Sequence, residues 1–156
     1  MAEAGVDEEV VAAGFLHDVL EDVLGPAGIE CLKKEFGERV TQAVVDVSEK
    51  KDPTSPVKST LSWVDRKQEY LDHLSSASDD ALLVALADKI HNLESILWMY
   101  KKEGAGVLEK FSAPKGKFIW YYAEVLTQAQ KRLPNHSLTE NLVRVVGECR
   151  ENFSDR

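Results

Sequence analysis

Residues 15–22 read FLHDVLED and combine one imidazole with three carboxylates inside an otherwise apolar stretch. On a helix, His17 and Glu21 are four residues apart, as are Asp18 and Asp22, so each pair shares a face. Carboxylates this close together repel one another unless a cation or protons intervene. The pattern therefore indicates a metal-binding or catalytic site, or else the polar stripe of an ordinary amphipathic helix.

A second candidate group follows the apolar run Ala81–Ala87. Asp88 comes directly after this run, and Asn92 lies one helical turn further on. A carboxylate in the middle of so apolar a helix needs a partner, because burial of an unpaired charge is costly. A salt bridge to a buried basic residue would provide one, and so would a metal ion shared with His17.

A histidine together with carboxylates suits a divalent ion that accepts mixed nitrogen and oxygen ligands, such as Mn, Fe, Co, Zn or Ni. Such an ion acidifies a bound water molecule and polarises a phosphoryl oxygen. In that case Glu21 and Asp22 would orient the water and carry its proton.

The net charge of the chain is −8 at pH 7, which disfavours binding to nucleic acid. A small anionic substrate remains compatible with this charge where a metal ion or basic residues reverse the local field. Each basic candidate can equally be a solvated surface charge. The candidates are Arg66, Lys67, Lys89 and the lysines of a polar segment, Lys50, Lys51 and Lys58.

The longest apolar run without a charge has seven residues, too few to cross a bilayer, and the N-terminus is acidic. These features predict a cytoplasmic protein with no role at a membrane. Cys31 and Cys149 lie far apart and form no CxxC pair, so both are predicted to be free thiols.

Helix signals dominate the chain, and no alternation typical of strands appears. We predict an all-α, single-domain bundle of about six to eight helices over residues 1–156. Ser137 and Glu140 would form a capping box, while KKDPTSPVKS and SAPKGK are predicted loops. The predicted helices cover residues 7–23, 29–36, 38–49, 60–74, 79–102, 117–133 and 137–153.

With these motifs together, the chain resembles the HD superfamily of metal-dependent phosphohydrolases. The signature of that superfamily is an adjacent His-Asp pair on one helix and a distant Asp on another. FLHDVLED and ALADKIHNL are similar to segments of the branch that contains the hydrolase domain of the RelA/SpoT alarmone enzymes, and the resemblance runs from about Val6 to Leu133. It implies an all-α HD fold and removal of pyrophosphate from the 3′ position of guanosine tetra- or pentaphosphate (ppGpp and pppGpp).

The same resemblance implies one bound metal ion, manganese in the first place, with Fe, Co, Zn, Ni or Mg as alternatives. It also implies a small anionic nucleotide as the substrate. The implied metal ligands are His17, Asp18 and Asp88. The implied catalytic residues are Glu21 and Asp22, and the candidate substrate-binding residues are Asn92, Lys89, Arg66 and Lys67.

The sequence departs from the family pattern in two places. Val23 stands where the alarmone branch commonly has Thr. The family also has a fourth metal ligand, a His in a His-Pro motif on an earlier helix, and this sequence has no such motif. We therefore expect Met1 to correspond to an internal methionine of a longer protein. Without the earlier helices an apolar surface would be exposed, which favours a homodimer.

None of the other histidines is predicted to take the place of the absent ligand. His73 and His136 are predicted at the surface, and His91 in a supporting or core position. A second hypothesis for the function follows from the absent ligand: a catalytically impaired HD domain that binds a nucleotide or a protein partner without turnover.

Overall fold

The computed structural model describes residues 1–49, 61–111, 113 and 116–153. Across these ranges the chain forms six α-helices, one π-helical turn and three short 3-10 helices, with no strand. The predicted all-α class and the predicted number of helices are confirmed. The α-helices are α1 (Glu8–Leu16), α2 (Ile29–Val47), α3 (Trp63–Ser76), α4 (Asp79–Glu103), α5 (Lys117–Arg132) and α6 (Ser137–Asn152).

The two predicted loops fall largely outside the described residues. All of residues 50–59 are outside them, and with them the candidate basic residues Lys50, Lys51 and Lys58. Half of SAPKGK, residues 112, 114 and 115, is outside them as well.

Helix α4 lies at the centre of the bundle and contacts α1, α2, α5 and α6. Its leucines Leu82, Leu86 and Leu93 are fully buried, and each contributes about 1.5–3 kcal/mol by leaving water. The side chain of Ser78 caps its N-terminus by accepting the amide N–H of Ala81. The helix ends at Gly104, whose φ of 83° favours glycine. Both ends agree with the sequence prediction.

The predicted helix over residues 7–23 is correct at its start and wrong in its second half. Asp7 caps α1 as predicted, by accepting the amide N–H of Glu9 at 3.0 Å. The α-helix ends at Leu16, and a π-helical turn (Leu20–Leu24) follows. That turn closes with a bond from Gly25 N–H to the carbonyl of Leu20, one residue wider than in an α-helix. The wider turn contains the candidate catalytic residues Glu21 and Asp22 and follows the candidate metal ligands His17 and Asp18.

Helix α2 is broken at Gly37, whose φ of 83° and ψ of 172° lie outside helical geometry. The helix therefore has two straight parts that meet at this glycine, in agreement with the predicted stop there. Val40 and Val44 of the second part are buried in the core.

Helix α6 begins differently from the prediction. His136 is its N-cap, and the imidazole Nδ1 accepts the amide N–H of Leu138 at 3.1 Å. The predicted Ser137–Glu140 capping box is therefore wrong, because the histidine one residue earlier satisfies the helix end. His136 is half-buried rather than solvated. His73 is exposed as predicted, whereas His91 is exposed and the prediction of a supporting or core position is wrong.

The 3-10 helix Ala105–Lys110 had no counterpart in the prediction. Among the described helices, none is long and apolar enough to cross a membrane.

Arg132, at the end of α5, ties this helix to the junction between α3 and α4. Its guanidinium donates to the carbonyls of Leu74 at 3.1 Å and Ala77 at 2.7 Å. It also donates to the carboxylate of Asp79 at 2.6 Å. These carbonyls belong to the C-terminal end of α3, where a cation is favoured by the helix dipole.

We expect Arg132→Met to lower the free energy of unfolding by about 2–3 kcal/mol, because the charge-assisted bonds to both carbonyls and to Asp79 are lost. Urea denaturation followed by circular dichroism measures this change. Lys131→Met, at an exposed neighbour, is the matched control and should have little effect. Equal stability of the two variants would contradict the role given to Arg132.

The two cysteines are both free, as predicted, and differ in accessibility. Cys31 is exposed, whereas burial raises the pKa of the Cys149 thiol to about 12. We expect a disulfide-exchange reagent at pH 8 to titrate one thiol per native chain and two in urea, because Cys149 is both inaccessible and un-ionised. Two fast-reacting thiols in the native protein would refute this assignment.

Candidate active site

The residues that follow α1 meet the middle of α4. His17 Nε2 lies 3.0 Å from Asp18 Oδ2 and 3.4 Å from Asp88 Oδ1. On the other side of the ring, His17 Nδ1 is 2.8 Å from the carbonyl of Gly14, so the backbone of α1 fixes the orientation of the imidazole. Residues about 70 positions apart in the chain thereby form one group of donors.

The two distances from His17 Nε2 to the carboxylate oxygens are compatible with ligands of one metal ion. Ligands about 2.1 Å from an ion lie about 3.0 Å apart around an octahedron and about 3.4 Å apart around a tetrahedron. Over the described ranges, however, no three His, Cys, Asp or Glu side chains already surround a common point as metal ligands. The donor types, one imidazole and two carboxylates, suit a divalent ion, which the imidazole can bind only after it has lost the proton it shares with Asp88.

Protonation of His17 is favoured by its surroundings. The hydrogen bond to Asp88 raises the pKa of His17 to about 9, against the opposing effect of burial. Burial would raise the pKa of Asp88, but the hydrogen bond from His17 and the charge of Lys89 outweigh it and lower that pKa. Before an ion binds, the two side chains therefore form an imidazolium–carboxylate pair at neutral pH.

Asp88 also forms the salt bridge that the sequence left open as the alternative to a metal site. Its Oδ2 is 2.5 Å from Lys89 Nζ, and its Oδ1 accepts the amide of Asn92 at 2.7 Å. Only 12% of the Lys89 side chain is exposed, and its ammonium lies over the rings of Tyr70 and Tyr121. Lys89 is thus buried at the site and is not a solvated charge.

A cavity of about 200 Å³ opens beside this group. Glu21 lines it and accepts the backbone N–H of Glu49 at 2.6 Å. Lys67 also lines it and forms an ion pair with the Glu49 side chain. The other predicted residues that line it are His17, Asp18, Asp88, Lys89 and Asn92.

Two predicted site residues do not line this cavity. Asp22 is exposed. Arg66 is half-buried, and its guanidinium donates to the carbonyl of Leu61 at 3.3 Å. The structure therefore brings together seven of the nine residues proposed from the sequence and leaves these two apart.

Besides three apolar residues of the cavity wall, sequence reasoning missed two polar ones, Glu49 and Tyr70. In the sequence, Glu49 marks only the end of a predicted helix, and Tyr70 belongs only to an apolar helix face. Neither has a motif around it. The one available signal was the acidic residue at the end of α2 before the polar segment, which is too common to single out a site.

The family of the chain follows from comparison with known proteins. Residues 1–112 match the model of an HD domain family, and the chain belongs to that family. Among solved structures, the chain is similar to the crystal structure of lmo0812 from Listeria monocytogenes EGD-e, with a TM-score of 0.79 and 25% identity. That match covers 96% of this chain and 93% of the Listeria chain.

Relatives of the alarmone branch are also found, and they confirm the predicted RelA/SpoT-like resemblance. The guanosine-3′,5′-bis(diphosphate) 3′-pyrophosphohydrolase of Aquifex aeolicus is 31% identical over 104 residues, which is 66% of this chain and 14% of that protein. A second relative is the guanosine-3′,5′-bis(diphosphate) 3′-pyrophosphohydrolase MESH1 of Xenopus tropicalis. It is 34% identical over 95 residues, which is 60% of this chain and 48% of that protein. The chain thus spans about half the length of the MESH1 relatives and less of the Aquifex protein.

We expect Asp88→Asn to lower the free energy of unfolding of the metal-free protein by about 3 kcal/mol, since the Lys89 ammonium would stay buried without its counter-charge. Denaturation in urea with a chelator present measures this. Asp72→Asn, on the exposed face of α3, removes a carboxylate that accepts the amide of Gln68 and serves as the control. A destabilisation no larger than that of the control would mean that Asp88 is not the counter-charge of Lys89.

Proposed function

We propose that this chain is a metal-dependent phosphohydrolase that acts on a nucleotide. Its substrate is a guanosine 3′-diphosphate such as guanosine 3′,5′-bis(diphosphate), from which it removes pyrophosphate at the 3′ position. The observation that carries the proposal is the approach of His17 Nε2 to carboxylate oxygens of Asp18 and Asp88. The names of the relatives from Aquifex and Xenopus support the same reaction.

In this proposal a divalent ion is held by His17, Asp18 and Asp88. Mixed nitrogen and oxygen donors suit manganese, with Fe, Co, Zn, Ni and Mg as alternatives. When bound, the ion supplies an acidified water molecule and polarises a phosphoryl oxygen. The protein contributes the orientation of the imidazole, through Gly14, and a carboxylate that stays ionised at neutral pH.

Glu21 accepts the proton of the attacking water in this proposal, because its carboxylate lines the same cavity as Asp88. Asp22 is exposed, so of the two acidic residues proposed for this role Glu21 is the one that the geometry supports. Asn92 lines the cavity next to Asp88 and would contact the sugar or a phosphate of the substrate.

The charges of the cavity wall favour an anionic ligand only when an ion is present. Lys67 and Lys89 are each paired with a carboxylate, Glu49 and Asp88 respectively. Asp18 and Glu21 add further negative charge to the wall. A divalent ion would offset this excess of negative charge. The positive charge of Lys89, which is paired with Asp88, would then help to attract a phosphate group.

The second hypothesis from the sequence, an HD domain that binds without turnover, has no observation in its favour beyond the absent motif. A homodimer also stays a prediction from the sequence.

We expect the full chain to release pyrophosphate from guanosine 3′,5′-bis(diphosphate) when Mn²⁺ is present. The release should stop when a chelator is added. Asp88→Ala should reduce the rate at least about 100-fold, because the ion loses a ligand that is partly buried. A coupled assay for pyrophosphate measures the rate, and Asp72→Ala is the control.

Unchanged activity of Asp88→Ala would contradict the proposed site. Retention of stoichiometric manganese without any hydrolysis across a panel of guanosine 3′-diphosphates would favour the domain that binds without turnover.

A further inference from the structure

The end of α2 delivers a backbone N–H to the cavity. Ser48 is extended, with a ψ of 130°, and its own N–H and hydroxyl both bond back to the carbonyl of Val44. Glu49 therefore has the first amide that leaves the helix, and this amide donates to Glu21 Oε1 at 2.6 Å. The position of the Glu21 carboxylate thus depends on the position of residue 49.

The side chain of Glu49 is itself held from α3. Its carboxylate pairs with Lys67, and the two side chains are 13% and 19% exposed. The Lys67 ammonium lies 4.9 Å from the ring centroid of Tyr121, which packs edge-on against Trp63 and Tyr70. The ammonium therefore lies near the buried ring of Tyr121 and is paired with Glu49.

We infer that Glu49 and Lys67 are positioning residues for Glu21. The ion pair fixes residue 49, and the N–H of that residue orients the Glu21 carboxylate toward the cavity. This inference rests on the proposed function, in which Glu21 receives the proton of the attacking water. It also changes the role predicted for Lys67 from the sequence, because the ammonium is engaged by Glu49 and is not presented to a substrate phosphate.

A positioning role acts on turnover more than on substrate binding. Without the ion pair, residue 49 loses its contact with Lys67 of α3, and the N–H that it donates to Glu21 is less precisely placed. A small misplacement of a catalytic group costs up to about 100-fold in rate. Binding of the nucleotide would change little, because Glu49 and Lys67 are paired with each other and do not bind the nucleotide in this inference.

The experiment measures kcat and KM for manganese-dependent hydrolysis of guanosine 3′,5′-bis(diphosphate) by the full chain. We expect Lys67→Met and Glu49→Gln each to lower kcat about 10- to 100-fold, with KM within about threefold of the wild type. Glu49→Gln keeps the backbone N–H, so its effect reports the loss of the carboxylate charge and not the loss of this donor. The double variant should be no slower than the slower single variant, because both substitutions break one contact.

Two further variants complete the comparison. Lys67→Arg keeps the charge and should retain most of the turnover. Lys33→Met breaks an exposed pair with Glu38 on α2 and should leave both constants unchanged. If a single variant fails to fold because one buried charge is left alone, the double variant decides, since neither charge remains in it.

A rise in KM with unchanged kcat in Lys67→Met would overturn the inference and assign this lysine to the substrate. Full turnover in Glu49→Gln, which breaks the ion pair with Lys67, would also overturn the inference. Full turnover in the folded double variant would do the same. An inactive wild-type chain would refute the proposed function and the inference with it, whereas an active wild type with these outcomes would refute only the inference.

Discussion

The pairing of Asp88 with His17 and Lys89 is the constraint on which the rest of the site depends. A carboxylate that follows an apolar run in the middle of a central helix is tolerated only when its charge is met by nearby cations. Here one cation comes from the next residue of α4 and the other from the segment after α1. The charges that join the segment after α1 to α4 are therefore the same charges that determine the chemistry of the cavity.

A second largely buried charge in the cavity wall is also met by an opposite charge. Glu49 and Lys67 come from different parts of the chain and are largely buried, as are Asp88 and Lys89. Tyr121 lies near both ammonium groups, 4.9 Å from Lys67 and 5.7 Å from Lys89. A single buried ring thus lies near both ion pairs.

Much of the fold follows from local signals, because the N-caps at Asp7, Ser62 and Ser78 and the stop at Gly104 act within one turn. The convergence of His17 with Asp88 was predicted from the two motifs through the family resemblance, while the residues alone left a salt bridge as the alternative. The roles of Glu49 and Lys67 were not predicted, since they depend on how the end of α2 meets α3. No residue before Gly25 marks the π-helical turn in the sequence. At the start of α6, His136 is the N-cap, although Ser137 was an equally plausible one.

The two ion pairs differ in one respect that follows from their places in the chain. Asp88 and Lys89 are adjacent on one helix, so a shift or rotation of α4 carries both charges together and leaves their mutual neutralisation intact. Glu49 and Lys67 stand on separate elements, so their contact survives only while the end of α2 and α3 keep their separation. The first pair therefore moves as one unit with its helix. The second pair depends on the distance between two helices.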